Sequence, residues 1–124
     1  MIGLMIAAAL AQAPAAPAPQ WRSLGRVGQG EAFYDPASVQ RNGATFDVRI
    51  RAVFDAVQTS GMRSGISLIR VDCAGRTVAL RHVASFDDHG APLLEGDATG
   101  PSSLPHAAPP NSPYQALLDQ YCRR

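Results

Sequence analysis

The clearest alternation of apolar and polar residues runs through residues 45–56. Its apolar positions are Phe46, Val48, Ile50, Ala52 and Phe54. The positions between and after them are mostly polar: Asp47, Arg49, Arg51, Val53 and Asp55. A strict period of two predicts a β-strand with one face buried and the other in water. The preceding Asn42-Gly43 pair predicts a tight hairpin, because both residues tolerate positive φ.

Shorter patterns on either side predict further strands. They are a first edge strand carrying Trp21, Leu24 and Val27, then residues 31–35, 66–73, 77–86 and 92–95. Turn residues separate them at 28–30, 35–38, 74–75 and 87–90, and a polar loop spans 58–65. In the strand 77–86, the alternation places Val78, Leu80, His82, Ala84 and Phe86 on one face. The whole pattern predicts an antiparallel sheet of about five to six strands.

One helix is predicted, at the C-terminus. Ser112 is a preferred N-cap, Pro113 suits the first helical position, and Gln115 completes a capping box. Tyr114, Leu117, Leu118 and Tyr121 recur at spacings of three and four and form one apolar stripe. A helix of about ten residues needs docking to be stable, so the stripe is expected to press on the sheet. Residues 96–111 are expected to form an irregular crossing that leads into it.

The first residues predict export. Residues 1–11 read as the apolar core of a signal peptide cut before Gln12, although no basic residue precedes them, and the alternative is an Ala-rich disordered terminus. Residues 12–20 form an Ala/Pro-rich linker, which leaves residues 21–124 as a single domain. In an oxidising compartment an even cysteine count favours a disulfide between Cys73 and Cys122. That bond would tether the helix to the sheet and gives an α+β domain.

The charge argues against several classes of function. The formal net charge is +1, and all eleven basic residues are arginines spread along the chain, so no clustered basic face for nucleic acid is expected. The apolar N-terminal run is shorter than the roughly 20 residues of a transmembrane helix. Nucleotide-binding and hydrolase motifs are absent, cysteines in a disulfide cannot hold zinc, and no cofactor or catalytic residue is predicted.

Two groups of charged residues leave alternatives open. Arg49 and Arg51 are a candidate binding face, although such rows are more often a solvated face with cross-strand charge pairs. Asp87, Asp88 and His89 form the one local cluster of titratable groups, but Asp-Asp-His-Gly is above all a turn composition.

An ordered set of residues resembles a known family. The set is Trp21-Arg-Ser-Leu, Phe33-Tyr-Asp-Pro-Ala-Ser-Val39, Arg41-Asn-Gly43, Val71-Asp-Cys73 with Arg76, Phe86-Asp, Gly90, Ser112 and Cys122. It resembles the bacterial surface-adhesin protein E–like family over most of the chain from Trp21 onward. The resemblance implies an exported domain with an antiparallel sheet, a C-terminal helix and a disulfide at Cys73 and Cys122. It also implies adhesion to host extracellular-matrix proteins, whereas no binding residue carries over.

Three functions follow as hypotheses, in decreasing order of support. The first is an exported, non-enzymatic binding module of the periplasm or cell surface that contacts an unidentified protein or envelope polymer. The second is a structural or assembly protein that acts as a homodimer through its sheet edges or Trp21. The third is a small exported enzyme that uses His89 with Asp87 or Asp88.

Overall fold

The computed structural model describes residues 18–122, so the predicted signal peptide at residues 1–11 lies outside the described residues. The strands are β1 (Arg22–Val27), β2 (Gly30–Asn42), β3 (Thr45–Phe54), β4 (Ser64–Asp72), β5 (Thr77–Phe86), β6 (Pro92–Asp97) and β7 (His106–Ala107). A 3₁₀ turn occupies Pro101–Ser103, and helix α1 spans Pro113–Tyr121.

The strands form one antiparallel sheet in which β1 to β6 lie side by side in chain order. The short β7 pairs with the first two residues of β5, and β6 pairs with the second half of β5 along the same edge. The predicted antiparallel sheet and C-terminal helix are confirmed. The sheet has seven strands, because the crossing at residues 96–111 contributes β7, which no sequence pattern indicated.

The predicted hairpin joins β2 to β3. Asn42 pairs with Thr45, and Gly43 adopts a φ of 68°, a left-handed conformation that glycine reaches without strain. Along β3 the predicted alternation is confirmed. Phe46 and Val48 are at most 1% exposed and Ile50 is buried, whereas Arg49, which lies between Val48 and Ile50, is exposed.

The turn predicted at residues 35–38 is wrong, because β2 continues through it. The buried Asp35 accepts a hydrogen bond from the N–H of Ala37. Ser38 donates its hydroxyl to the Asp35 carbonyl and accepts from the N–H of Arg49 in β3. These turn-forming contacts produce an irregularity inside the strand, with a register shift between Asp35 and Gln40, rather than a reversal of the chain.

The single face predicted for β5 is also wrong. Ile69 of β4 pairs with Leu80, but the preceding Leu68 pairs with His82, which makes Arg81 an extra residue in β5. An odd number of extra residues inverts every side chain beyond it. Val78 and Leu80 therefore face the helix, whereas His82, Ala84 and Phe86 face away from it.

Helix α1 begins as its capping residues predict. Ser112 accepts a hydrogen bond from the N–H of Gln115, and Pro113 takes the first helical position. The side chain of Gln115 accepts from the N–H of Asn111, one residue before the N-cap. The stripe is packed on the sheet, with Leu117 and Leu118 at most 2% exposed.

The predicted Cys73–Cys122 disulfide is confirmed, and it ties the end of α1 to the residue after β4. Two further contacts hold the same end of the helix. The ring of Tyr121 lies 5.2 Å from that of Phe46 between centroids, and Arg41 donates a hydrogen bond to the Tyr121 carbonyl. The helix is thus fixed to one end of the sheet.

Candidate functional site

Helix α1 covers only one end of the sheet face on which it packs, which we call the helix face. Phe46, Val48 and Ile50 of β3 belong to the buried cluster that includes the helix, whereas Ala52 and Phe54 farther along β3 do not. Leu117 and Leu118 share one buried cluster with Phe46 and Val48, near the start of β3. The second half of β3 therefore extends beyond the helix.

Beyond the helix, the same face forms an open trough of about 680 Å³. The trough is lined by Ile50, Ala52, Phe54, Ser60, Met62, Gly65, Ser67, Val83, Ala84, Ser85, Leu93, Leu94 and Tyr114. Its volume lies within the range of roughly 300–1,000 Å³ that is typical of binding sites. Most of the lining is apolar, with serine hydroxyls as the exceptions.

Small side chains form the floor of the trough. Ala52 of β3 pairs with Gly65 of β4, which pairs with Ser85 of β5. The neighbouring Ser67 pairs with Val83. Since side chains stand perpendicular to a sheet, a row of short ones leaves a depression where longer residues would fill the space. The trough is therefore encoded in residue size at the point where the helix ends.

Larger apolar residues form its walls. Leu93 and Leu94 are 47% and 65% exposed, which is unusual for leucine in a strand next to an apolar surface. Met62 in the loop before β4 and Tyr114 in the first turn of α1 complete the lining. Burial raises the pKa of Tyr114, so its phenol stays neutral at physiological pH.

The loop that carries Met62 is held in place. Arg63 donates from Nε to the carbonyl of Phe54, and its guanidinium pairs with Asp88 at 2.8 Å. The N–H of Gln58 donates to the carbonyl of Met62 across the loop. A wall anchored at both ends gives the trough a preformed shape.

The predicted binding residues, Arg49 and Arg51, lie on the opposite face of the sheet, which we call the outer face. Arg49 is exposed, whereas Arg51 is half-buried with its guanidinium 6.0 Å from the ring centroid of Trp21. In the part of the chain that the structure describes, neither forms an ion pair with a carboxylate. The fold brings the two arginines together but places them away from the trough.

Other charges on the outer face pair across strands. Arg70 of β4 makes two hydrogen bonds of 2.9 and 3.1 Å to Asp47 of β3. At the sheet edge, Arg26 of β1 pairs with Asp55 just after β3. The alternative of a solvated face with cross-strand pairs therefore describes these residues well, and Arg49 and Arg51 less so.

His82 joins β5 to β6 on the outer face. Its Nδ1 lies 3.1 Å from an Asp97 carboxylate oxygen and its Nε2 lies 3.0 Å from one of Glu95. The hydrogen bonds with Asp97 and then Glu95 raise the pKa of His82. Both ring nitrogens of His82 are therefore engaged by carboxylates of the neighbouring strand.

The cluster of Asp87, Asp88 and His89 forms a turn. Asp87 accepts hydrogen bonds of 2.8 Å from the N–H groups of His89 and Ala91, and the bonds from Ala91 and then His89 lower the pKa of Asp87. Asp88 pairs with Arg63. The two carboxylates are thus engaged in local structure, and within residues 18–122 no group of three His, Cys, Asp or Glu side chains is arranged to hold a metal ion.

Sequence patterns did not indicate the trough. One signal was available, since Ala52, Gly65, Ser67 and Ser85 are small residues at positions where a buried strand would carry large ones. Recognising them as neighbours requires the register of three strands, including the bulge at Arg81.

The family described as surface-adhesin protein E matches residues 21–123 of this chain. No curated protein and no solved structure matches the chain. Within the described residues, no helix is long and apolar enough to cross a membrane.

Proposed function

The chain belongs to the surface-adhesin protein E family, and from this premise we propose that it is an exported binding module that holds an apolar segment of a protein partner in the trough. The family suggests an exported, surface-located protein with a binding rather than a catalytic role. Export would use the signal at residues 1–11, with the mature chain at the periplasm or cell surface.

One observation carries the proposal: the helix face is apolar, preformed and uncovered at the trough. Contiguous exposed apolar surface on a small soluble domain marks interaction sites. Burial of such a surface by a partner is favourable because it removes apolar area from water.

A protein segment suits the trough better than an enclosed small molecule. Leu93 and Leu94 keep about half or more of their surface in water at the outer wall. A small ligand lying on the floor would leave them exposed, whereas a polypeptide that fills the floor and continues over the wall would cover them.

The test is surface plasmon resonance of the mature, oxidised chain on immobilised collagen, fibronectin and laminin. Ser67→Phe fills the floor of the trough, and Ser67→Ala is its matched control because it leaves the space open. The double reversal of Arg49→Glu and Arg51→Glu tests the outer face in the same assay.

We expect the wild type to bind at least one of these matrix proteins. The Ser67→Phe variant should lose that binding, and Ser67→Ala and the double reversal should retain it. Loss on the double reversal alone would move the site to the outer face. Equal binding by all variants would exclude both the trough and the outer face as the binding site. No binding of the wild type to any of the three proteins would overturn the adhesin role. A dimer in sedimentation that Ser67→Phe dissociates would favour the assembly alternative.

A further inference from the structure

Strand β6 is a sheet edge that lies against the trough. The strand order ends at β6, and five of its six residues are exposed. The other edge, β1, is interrupted by a bulge and by Gly25 at a φ of 105°, features that discourage pairing with another strand. Edge β6 carries its register shift only at its start, next to Leu93, and leaves the run from Leu94 to Asp97 regular.

The ladder shows which backbone groups of β6 face outward. In an antiparallel pair, alternate residues direct both N–H and C=O toward the partner strand, and the residues between them direct both away. Ala98, just after β6, donates its N–H to the carbonyl of Arg81. The same alternation directs Gly96 and Leu94 toward β5, so the N–H and C=O groups of Glu95 and Asp97 face the free edge.

The side chains of β6 alternate between two chemically different surfaces. Leu94 pairs with Ser85 and lines the trough. Glu95 and Asp97 lie on the outer face beside His82, with side chains 68% and 92% exposed. A strand added along this edge would follow the same alternation, with one set of residues over the trough and the other beside two carboxylates.

We propose that the protein partner adds an extended segment as a new strand along the outer edge of β6. Apolar residues of that segment enter the trough, and lysine or arginine residues alternate with them opposite Glu95 and Asp97. The backbone groups of Glu95 and Asp97 supply the new ladder, as in other cases of strand addition to a sheet edge. The inference rests on the proposed function and specifies the partner's conformation and charge.

The probe is a short fluorescein-labelled peptide in which lysine and valine alternate strictly, titrated with the mature chain by fluorescence anisotropy. Three peptides serve as controls: one with the same composition but contiguous valines, one with glutamate in place of lysine, and one N-methylated at every lysine, the residues that would pair with Glu95 and Asp97. We expect each control to bind about tenfold more weakly or worse. Equal affinity for the alternating and the N-methylated peptide would overturn strand addition.

Substitution at Glu95 tests the edge from the other side. Glu95→Pro removes an outward N–H and leaves the ladder with β5 intact, since proline is tolerated where the N–H of an edge strand faces solvent. Glu95→Thr removes the same charge but keeps the N–H. We expect Glu95→Pro to lose the peptide and Glu95→Thr to weaken it less. An equal loss of affinity in both variants would show that the peptide is held by the charge of Glu95 and not by its backbone N–H. If Glu95→Pro fails to fold, the N-methylated peptide tests the backbone contact instead.

The two proposals fail separately. A matrix protein that binds the trough, together with no preference for the alternating peptide, would overturn strand addition and keep the proposed function. Specific peptide binding without any bound matrix protein would keep strand addition and overturn the adhesin role. A wild-type dimer that becomes a monomer in Glu95→Pro would assign the edge to a second copy of the chain and overturn the inference.

Discussion

The two halves of the helix face differ in what covers them and in the residues they carry. Under α1, four residues of β3 and β4 are at most 1% exposed: Phe46, Val48, Ile69 and Val71. Beyond α1, the corresponding positions hold Ala52, Gly65 and Ser67, which are only half-buried. The same sheet thus places four large residues where a helix seals them, and these three small residues, next to the larger Phe54, where nothing in residues 18–122 does. The covered half accounts for stability, and the open half is available for binding.

The largest expected effect comes from releasing the helix from the covered half. The Cys73–Cys122 bond closes a loop with a sequence separation of 49 residues. Loop-closure entropy then assigns it about 4 kcal/mol of the free energy of unfolding. Urea unfolding of the Cys73→Ser, Cys122→Ser double variant should show a loss of that order. Reduced wild type is the matched control and should agree with it, whereas an unchanged midpoint would show that packing alone holds the helix.

A matched pair of leucines compares the two halves directly. Leu117 of α1 is fully buried between the helix and the sheet, whereas Leu94 is 65% exposed at the wall of the trough. Leu117→Ala should cost about 3 kcal/mol, because it leaves a cavity in the core. Leu94→Ala should stay within about 0.5 kcal/mol, because little packing is lost. Both values come from urea unfolding at one pH, and similar losses in the two variants would contradict the division of the face.

Local signals explain which parts of this comparison were predictable from sequence. The alternation in β3, the cap at Ser112 and the stripe through Leu117 and Leu118 depend on neighbouring residues, and the structure confirms all three. The disulfide was predictable because export and an even cysteine count leave one pairing. These features place the helix and therefore the covered half.

The open half was not predictable because it depends on pairing between strands. Asp35 and Ser38 have turn chemistry, but their contacts with Ala37 and Arg49 build a bulge inside β2. Arg81 looks like any other strand residue in the sequence. As an extra residue in β5, however, it exchanges the two faces on which the following side chains lie. Only after that inversion do Val83 and Ser85 reach the trough.

A dye should report the open half without any partner. 1-Anilinonaphthalene-8-sulfonate fluoresces when it binds exposed apolar surface, so the native wild type is expected to enhance its emission. Ser67→Phe should abolish most of this enhancement with a change in stability within about 0.5 kcal/mol, since the new ring occupies empty space. Leu104→Ala is the control, because Leu104 is equally apolar and 63% exposed but lies outside the trough. If the dye emission falls in Leu104→Ala and not in Ser67→Phe, the trough is not the apolar site that binds the dye.

The smallest expected effect concerns the wall that β6 adds to the open half. His82 holds Glu95 and Asp97 of β6 from the outer face, and these hydrogen bonds raise its pKa above the ordinary value of 6.5. Leu68 of β4 is its neighbour on the other side. A raised pKa in the folded state means that protonated His82 contributes stability fully below pH 6.5, and that this contribution is lost as pH rises through the raised value. The attachment of β6 should therefore weaken in mildly alkaline solution.

The measurement is the difference in Tm between wild type and His82→Gln, which should be larger at about pH 5.5 than at about pH 8.5. Wild-type His82 should also titrate above 6.5 by NMR. A Tm difference that grows with pH would have the wrong sign for a raised pKa, and one that does not change with pH would show that β6 is held by its ladder with β5 and not by protonated His82.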